Sequence, residues 1–137
     1  TVAPDYTGGS IGLVATAADY WRFAQAMING GELNGERIIG PKTVEFMASN
    51  HLTAQQHETF SPAMGFGLGF ATIENPAGVG YIASKGSFYW GGAAATSFWI
   101  DPVEDIVVVG MTQHMGTPNT GAIRGELHAL VYGALED

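Results

Sequence analysis

The sequence predicts an α+β unit, an antiparallel sheet flanked by helices. Three observations lead there. Helical periodicity is confined to residues 16–50 and 120–134, near the two ends, while alternating or continuously apolar runs occupy residues 66–111 between them. The last two of those runs are joined by the link Asp101-Pro102-Val103-Glu104-Asp105, with Pro at the second position of a tight turn. The chain's 137 residues can bury a core without metal or disulfide staples.

In chain order, Thr16 and Asp19 resemble a capping box with Asp in the Glu position. Tyr20, Phe23, Ala24, Met27 and Ile28 then keep helical spacing until Gly30 and Gly31 stop it. Residues 32–39 read as a short hairpin around Asn34-Gly35, a dipeptide tolerant of positive φ. Pro41 opens a second helix that should bury Val44, Met47 and Ala48 and leave near Asn50. Residues 51–63 lose the pattern in polar side chains and read as a long surface loop or lid. Phe66, Leu68, Phe70 and Thr72 alternate with Gly67, Gly69 and Ala71, giving one strand with a bulky face and a nearly bare one. Residues 93–100 and 106–111 are expected as the two strands of an antiparallel hairpin. Thr120 caps a final helix whose Ile123, Leu127, Leu130, Val131 and Ala134 share a stripe laid on the sheet. Three strands are thus expected. The apolar run 106–109 expects cover on both faces, from the chain's own helices or from another segment.

Composition excludes several function classes. Apolar residues are 46% and charged ones 13%, so surplus apolar surface is expected to meet another segment. A net charge of -8 with only five Lys and Arg argues against nucleic acid and anionic membranes, which need clustered cations. The absence of cysteine excludes disulfide scaffolds, thiolate zinc sites and Cys nucleophiles, and leaves the redox compartment open. His51, His57, His114 and His128 lack His-x-x-x-His spacing and read as surface or loop residues, so no metal or other cofactor is expected. No carboxylate pair is placed for glycoside chemistry, and Tyr20, Trp21 and Phe23 read as core. The run 106–111 is too short to span a bilayer, and residues 1–10 are not a signal peptide, so any export signal is expected upstream.

The chemistry concentrates in Gly86-Ser87-Phe88-Tyr89-Trp90-Gly91-Gly92-Ala93-Ala94-Ala95-Thr96, just before and into a strand. Paired glycines let a backbone approach a ligand, and a strand edge can present N–H groups to a developing oxyanion. By the glycines alone, a bulge at Gly91-Gly92 with Trp90 in the core is the stronger reading.

The order of motifs is more specific. Gly8-Gly9-Ser10-Ile11-Gly12-Leu13-Val14-Ala15-Thr16-Ala17-Ala18-Asp19-Tyr20, Gly30-Gly31-Glu32-Leu33-Asn34-Gly35, Pro41-Lys42-Thr43-Val44, Gly65-Phe66-Gly67-Leu68-Gly69-Phe70, Trp90-Gly91-Gly92 and Asp101-Pro102 follow one another in that sequence. Together they resemble the C-terminal part of the class C β-lactamase, penicillin-binding-protein and esterase group of serine hydrolases, over nearly the entire chain. The resemblance implies that residues 1–137 are the C-terminal portion of one β-lactamase/transpeptidase-like domain. In that family a Ser-x-x-Lys motif, a Tyr-containing motif and a Lys-Thr-Gly or His/Trp-x-Gly motif carry catalysis. Trp90-Gly91-Gly92 matches the third, which implies that the Ala93 N–H is one oxyanion donor. Neither Ser-x-x-Lys nor Tyr-x-Asn occurs in the sequence, so nucleophile and base are expected on polypeptide outside it. The neutral Trp90 indole, where lactamases carry Lys, cannot pair with a substrate carboxylate and tilts the expectation towards small acyl esters. Gln113 and the Pro118-Asn119 pair loosely match polar positions that line the substrate site in class C enzymes.

The expected partners are a small acyl substrate in the complete protein and an N-terminal segment or a second copy against the sheet edge. A noncatalytic domain, self-associating or completed by another chain, is the alternative. Thr1 as an N-terminal nucleophile is a minor further option, opposed by the same resemblance. The compartment stays open, with periplasm or secretion admitted by the resemblance.

Overall fold

The computed structural model describes residues 13–115 and 120–136; Thr1, the stretch Gly8-Gly9-Ser10-Ile11-Gly12 and the Pro118-Asn119 pair lie outside them. Helix α1 (Ala17–Ile28) begins where the capping box forms. Thr16 Oγ1 accepts the Asp19 N–H at 3.2 Å, and the Asp19 carboxylate accepts the Thr16 N–H at 3.2 Å. Gly30 and Gly31, at φ 74° and 92°, end it. A Cβ on Gly31 would lie 2.2 Å from the Ile39 carbonyl oxygen, so only glycine fits there. The expected hairpin is β1 (Glu32–Leu33) and β2 (Glu36–Arg37), turned by Asn34 and Gly35 at φ 53° and 85°. In α2 (Pro41–Met47) Val44 is buried, whereas Met47 and Ala48 are half-buried against the same core.

Two expectations about the middle of the chain are corrected. The segment 51–63 is not a loop throughout, because α3 (Ala54–Phe60) occupies most of it. Its start signal is the polar pair Thr53 and Gln56, a capping box in which each accepts the other's backbone N–H. It buries no residue, so apolar periodicity was silent. The single strand through residues 66–72 is instead two, β3 (Met64–Phe66) and β4 (Ala71–Ile73), folded back antiparallel. Gly67 N–H closes the turn on the Phe70 carbonyl at 2.7 Å, with Gly69 at φ 89°. A Cβ on Gly67 would lie 2.0 Å from the Met47 carbonyl oxygen, so alternation with bulky residues here reflected close approach, not a bare strand face.

After the short α4 (Pro76–Val79), the chain adds β5 (Phe88–Gly91), β6 (Ser97–Asp101) and β7 (Ile106–Gly110). Among the described residues five antiparallel strands, not three, follow one another in the order β3-β4-β5-β6-β7. Residues 93–96, expected as strand, belong to the β5–β6 connection. The Asp101-Pro102 link turns as expected, with Asp101 facing Ile106 across the hairpin and its Oδ1 accepting the Val103 N–H at 2.9 Å.

One sheet face carries Phe88, Phe98 and Ile100 against Ala24 and Met27 of α1, Val44 of α2 and Phe70. The other carries the row Gly91, Ser97 and Gly110, aligned by register, which admits helix α5 (Thr120–Tyr132). Leu127 Cδ2 would stand 3.3 Å from a Cβ on Gly110. The apolar run 106–109 packs on the α1-side core through Val107 and Val109, and β7 is only half-buried along its length. Among the described residues its outer edge is unpaired.

The terminal helix is rotated from its expected stripe. Leu130 is 72% exposed and Ala134 is exposed, because the buried side runs through His128. His128, expected at the surface, is 6% exposed and stacks on Trp99 with centroids 3.8 Å apart, its Nδ1 3.0 Å from the Ile82 carbonyl oxygen. Trp21 and Phe23, expected in the core, are exposed; of that trio Tyr20 alone is half-buried, against Phe98.

Burial pushes the His128 imidazole below its ordinary range. Burial pushes the Asp101 carboxyl up, but hydrogen bonds from Tyr132, Ser84 and the Val103 and Glu104 N–H groups outweigh it and hold it low. Both shifts make the unfolded chain the better proton acceptor, so each group adds stability above its unfolded pKa and loses it as pH falls. Stability is expected to decline in two steps, for His128 below about pH 6.5 and for Asp101 below about pH 4, each by at most about 1.4 kcal/mol per pH unit. Urea unfolding across this range checks it, with His128→Phe expected to remove the upper step; an unchanged upper step in that variant refutes the assignment.

Candidate active site

Strand β5 alternates, sending Phe88 into the α1-covered core and Tyr89 to the α5 side. Tyr89 O–H points at Met64 Sδ of β3, and burial pushes its phenol up. Strand β4 pairs with β5 only through Ala71 with Tyr89 and Thr72 with Phe88. Trp90 and Gly91 therefore run past the end of β4 while remaining paired to Phe98 and Ser97 of β6. Their β4-side edge has no strand beside it among the described residues. Trp90 is 45% exposed, so it is not the core residue that the bulge reading required. The Phe66 ring meets Trp90 edge-on at 5.1 Å, and Phe60 of α3 meets Phe66 at 6.0 Å, extending an aromatic wall from the indole.

Beyond Gly91 the chain makes a tight connection. Gly92 N–H donates to the Thr96 carbonyl at 3.0 Å, and Ala95 N–H donates to the Gly92 carbonyl at 3.1 Å. Ala95 takes the left-handed conformation, φ 61°, that closes a three-residue hairpin loop. This loop fixes where the Ala93 amide points. In a trans peptide the C=O and the following N–H are antiparallel, so a Gly92 carbonyl turned into the loop turns the Ala93 N–H out of it. Ala93 is exposed, and its N–H donates no hydrogen bond among the described residues.

The segment after β7 is held against the same loop. Thr112 Oγ1 and His114 N–H both donate to the Ala94 carbonyl, the second at 3.1 Å, so Gln113 lies between two anchored residues and is exposed. Asn119 falls outside the described residues. A cavity of about 400 Å³ opens beside the loop, walled by Trp90, Gly91 and Gly92 and by Tyr20, Phe98 and Met111. Thr96 and Ser97 also line it. The lining has no histidine, lysine or carboxylate, so these hydroxyls have no base in the cavity wall. Among the described residues no cluster of three or more His, Asp or Glu could hold a metal ion.

Among the contributors that the sequence reading did not place in the site are Tyr20, Phe66, Thr112 and Arg124. Arg124 left a trace, a cation set among the apolar positions of the last helix, and its Nη2 donates to the Thr96 carbonyl at 3.3 Å.

Comparison with known proteins identifies the family and the fold. The profile of the Beta-lactamase family matches residues 1–133. Esterase EstB of Burkholderia gladioli is 29% identical over 129 residues, covering 90% of this chain and 31% of that protein. Protein Rv1367c of Mycobacterium tuberculosis (strain ATCC 25618 / H37Rv) is 31% identical over 123 residues, covering 81% of this chain and 30% of that protein. The chain thus spans about a third of the length of these relatives. Among solved structures, that of EstCE1, a hydrolase with promiscuous acyltransferase activity, superposes with a TM-score of 0.72 at 26% identity, over 85% of this chain and 29% of that one. With its five-stranded antiparallel sheet between helices, this chain belongs to the Beta-lactamase family, in the β-lactamase/transpeptidase-like fold and related to esterases and acyltransferases.

Proposed function

We propose that residues 1–137 form the C-terminal portion of a serine hydrolase domain that cleaves small acyl esters through an acyl-serine intermediate. The observation that carries this reading is the outward, unbonded Ala93 N–H in a loop beside an apolar cavity, next to Trp90-Gly91-Gly92. The serine attacks the ester carbonyl, and Ala93 N–H donates to the oxyanion of the tetrahedral intermediate. Collapse breaks the ester C–O bond and the alcohol leaves with the proton that the base took from the serine; water then attacks the acyl-serine, releasing the acid and restoring the serine hydroxyl. The serine and its base belong to Ser-x-x-Lys and Tyr motifs on polypeptide outside this sequence, so the chain alone is inactive. Gln113, and Asn119 after it, border the substrate, and no cofactor takes part.

The substrate class follows from charge. The cavity lining offers no cation to a substrate carboxylate, and Trp90 stands where a lactamase carries Lys. EstB is named an esterase and EstCE1 a hydrolase, which supports the same choice. The complete protein is expected to turn over a short-chain p-nitrophenyl ester faster than a cephalosporin in parallel assays; faster cephalosporin turnover overturns the ester assignment.

A second reading has its own support in the unpaired β7 edge and in Leu13 and Val14, 98% and 96% exposed. On it the chain is a noncatalytic assembly domain, seated on an N-terminal segment or on a second copy. Light scattering of the isolated chain tests it: a monomer across concentrations removes the self-association.

A further inference from the structure

We propose that Arg124 is a positioning residue for the loop that aims the Ala93 amide, holding it from the α5 side of the sheet; this rests on the hydrolase reading above. A Cβ on Gly91 would lie 2.1 Å from Arg124 Nη2 and 2.5 Å from its Cζ, so the guanidinium fills the niche that the glycine leaves open. From there Nη2 donates to the Thr96 carbonyl at 3.3 Å, the same oxygen that accepts the Gly92 N–H at 3.0 Å. The loop is thereby held at two carbonyls. Thr112 and His114 hold Ala94 O, and Arg124 holds Thr96 O. The Gly92 C=O shares one planar peptide with the Ala93 N–H, and the Gly92 N–H bonded to Thr96 O lies one peptide before it, so anchoring Thr96 O constrains the direction of that donor.

The charge balance argues for a role beyond packing. Among the described residues Arg22, Arg37 and Lys42 each pair with a carboxylate and Lys85 is exposed to solvent, whereas Arg124 is half-buried with no carboxylate within reach and its Nε is buried without a hydrogen-bond partner. Its charge acts instead on the phenols of Tyr81 and Tyr89, both pushed up by burial. Partly burying an uncompensated cation costs stability, and an apolar residue such as Leu127, one turn further on, would cover the sheet without that cost. What Arg gives and Leu cannot is a donor reaching Thr96 O.

The test compares Arg124→Ala, Arg124→Lys and Leu127→Ala in the complete protein, by ester hydrolysis and by hydrogen exchange of the peptide spanning residues 90–97. Arg124→Ala is expected to lower kcat about 10- to 100-fold with KM changed less than about 2-fold, because a misaimed donor affects the transition state and not substrate binding. Faster exchange at Gly92 should accompany it. Arg124→Lys, which keeps a donor, should recover part of both and serves alone if the alanine variant fails to fold. Leu127→Ala should lower the melting temperature and leave kcat, measured well below it, unchanged. Unchanged kcat and exchange in Arg124→Ala, or an equal kcat loss in Leu127→Ala, overturns the proposal. A wild-type protein that hydrolyses no ester would sink the hydrolase reading by itself, and Gly92 exchange would then decide the role of Arg124.

Discussion

Replacing Ala93 by Pro is expected to abolish most ester hydrolysis by the complete protein while leaving its fold intact. Proline removes the backbone N–H, the group proposed above to bind the oxyanion. Other substitutions at Ala93 would keep that donor. The site tolerates the ring, because Ala93 is the second residue of the turn closed by Ala95 N–H on Gly92 O, where Pro is favoured, and Gly92 before it accepts the extended backbone that Pro requires. The side chain is exposed, and the amide has no hydrogen bond among the described residues to lose. Loss of one oxyanion donor costs about 100- to 1000-fold in kcat, with KM little changed. A melting temperature near wild type, measured alongside, separates lost chemistry from lost folding. Wild-type kcat in Ala93→Pro would show that the donor lies elsewhere.

The largest stability loss is expected from Trp99→Ala. Trp99 is 2% exposed at the centre of β6, sandwiched between the sheet and α5 through its 3.8 Å stack on His128. Tyr132 stacks on His128 one turn further along the helix, so removing the indole leaves a cavity under two rings at once. Truncation of a buried tryptophan costs about 3–5 kcal/mol, read as a lowered melting temperature. Val103→Ala in the β6–β7 turn, where the side chain is 66% exposed, should stay within about 0.5 kcal/mol of wild type. A shift in Trp99→Ala no larger than that of Val103→Ala would place the weight of the core elsewhere.

The elements legible in the sequence share one trait, a local signal. The Thr16 box, the Asn34-Gly35 turn, Pro41 and the Asp101-Pro102 link each act through backbone conformation within four or five residues, so no partner need be known to read them. The Trp90-Gly91-Gly92 stretch was singled out by family resemblance, as an order of residues. Helix α3 was misread despite its local Thr53 box because it buries no apolar face, and the other misread elements were decided by a non-local contact. Gly67 is glycine because the Met47 carbonyl stands against it, and that contact folds the expected strand into a hairpin. Trp21 and Phe23 lie on the helix side that the sheet does not cover, although their residue types alone suggest core. His128 is buried because Trp99, some thirty residues earlier, offers it a flat face.

The sequence by itself determined the α+β class, the helix and turn boundaries set by caps and prolines, and the Trp90-Gly91-Gly92 stretch as the place to look for chemistry. Tertiary structure alone decided the five-strand count, the burial of His128, the exposure of Trp90 and the meeting of Arg124 with Gly91. The physical reason is range. Backbone conformation is set by neighbours in the chain, whereas burial and the direction of one amide depend on which distant surfaces pack together.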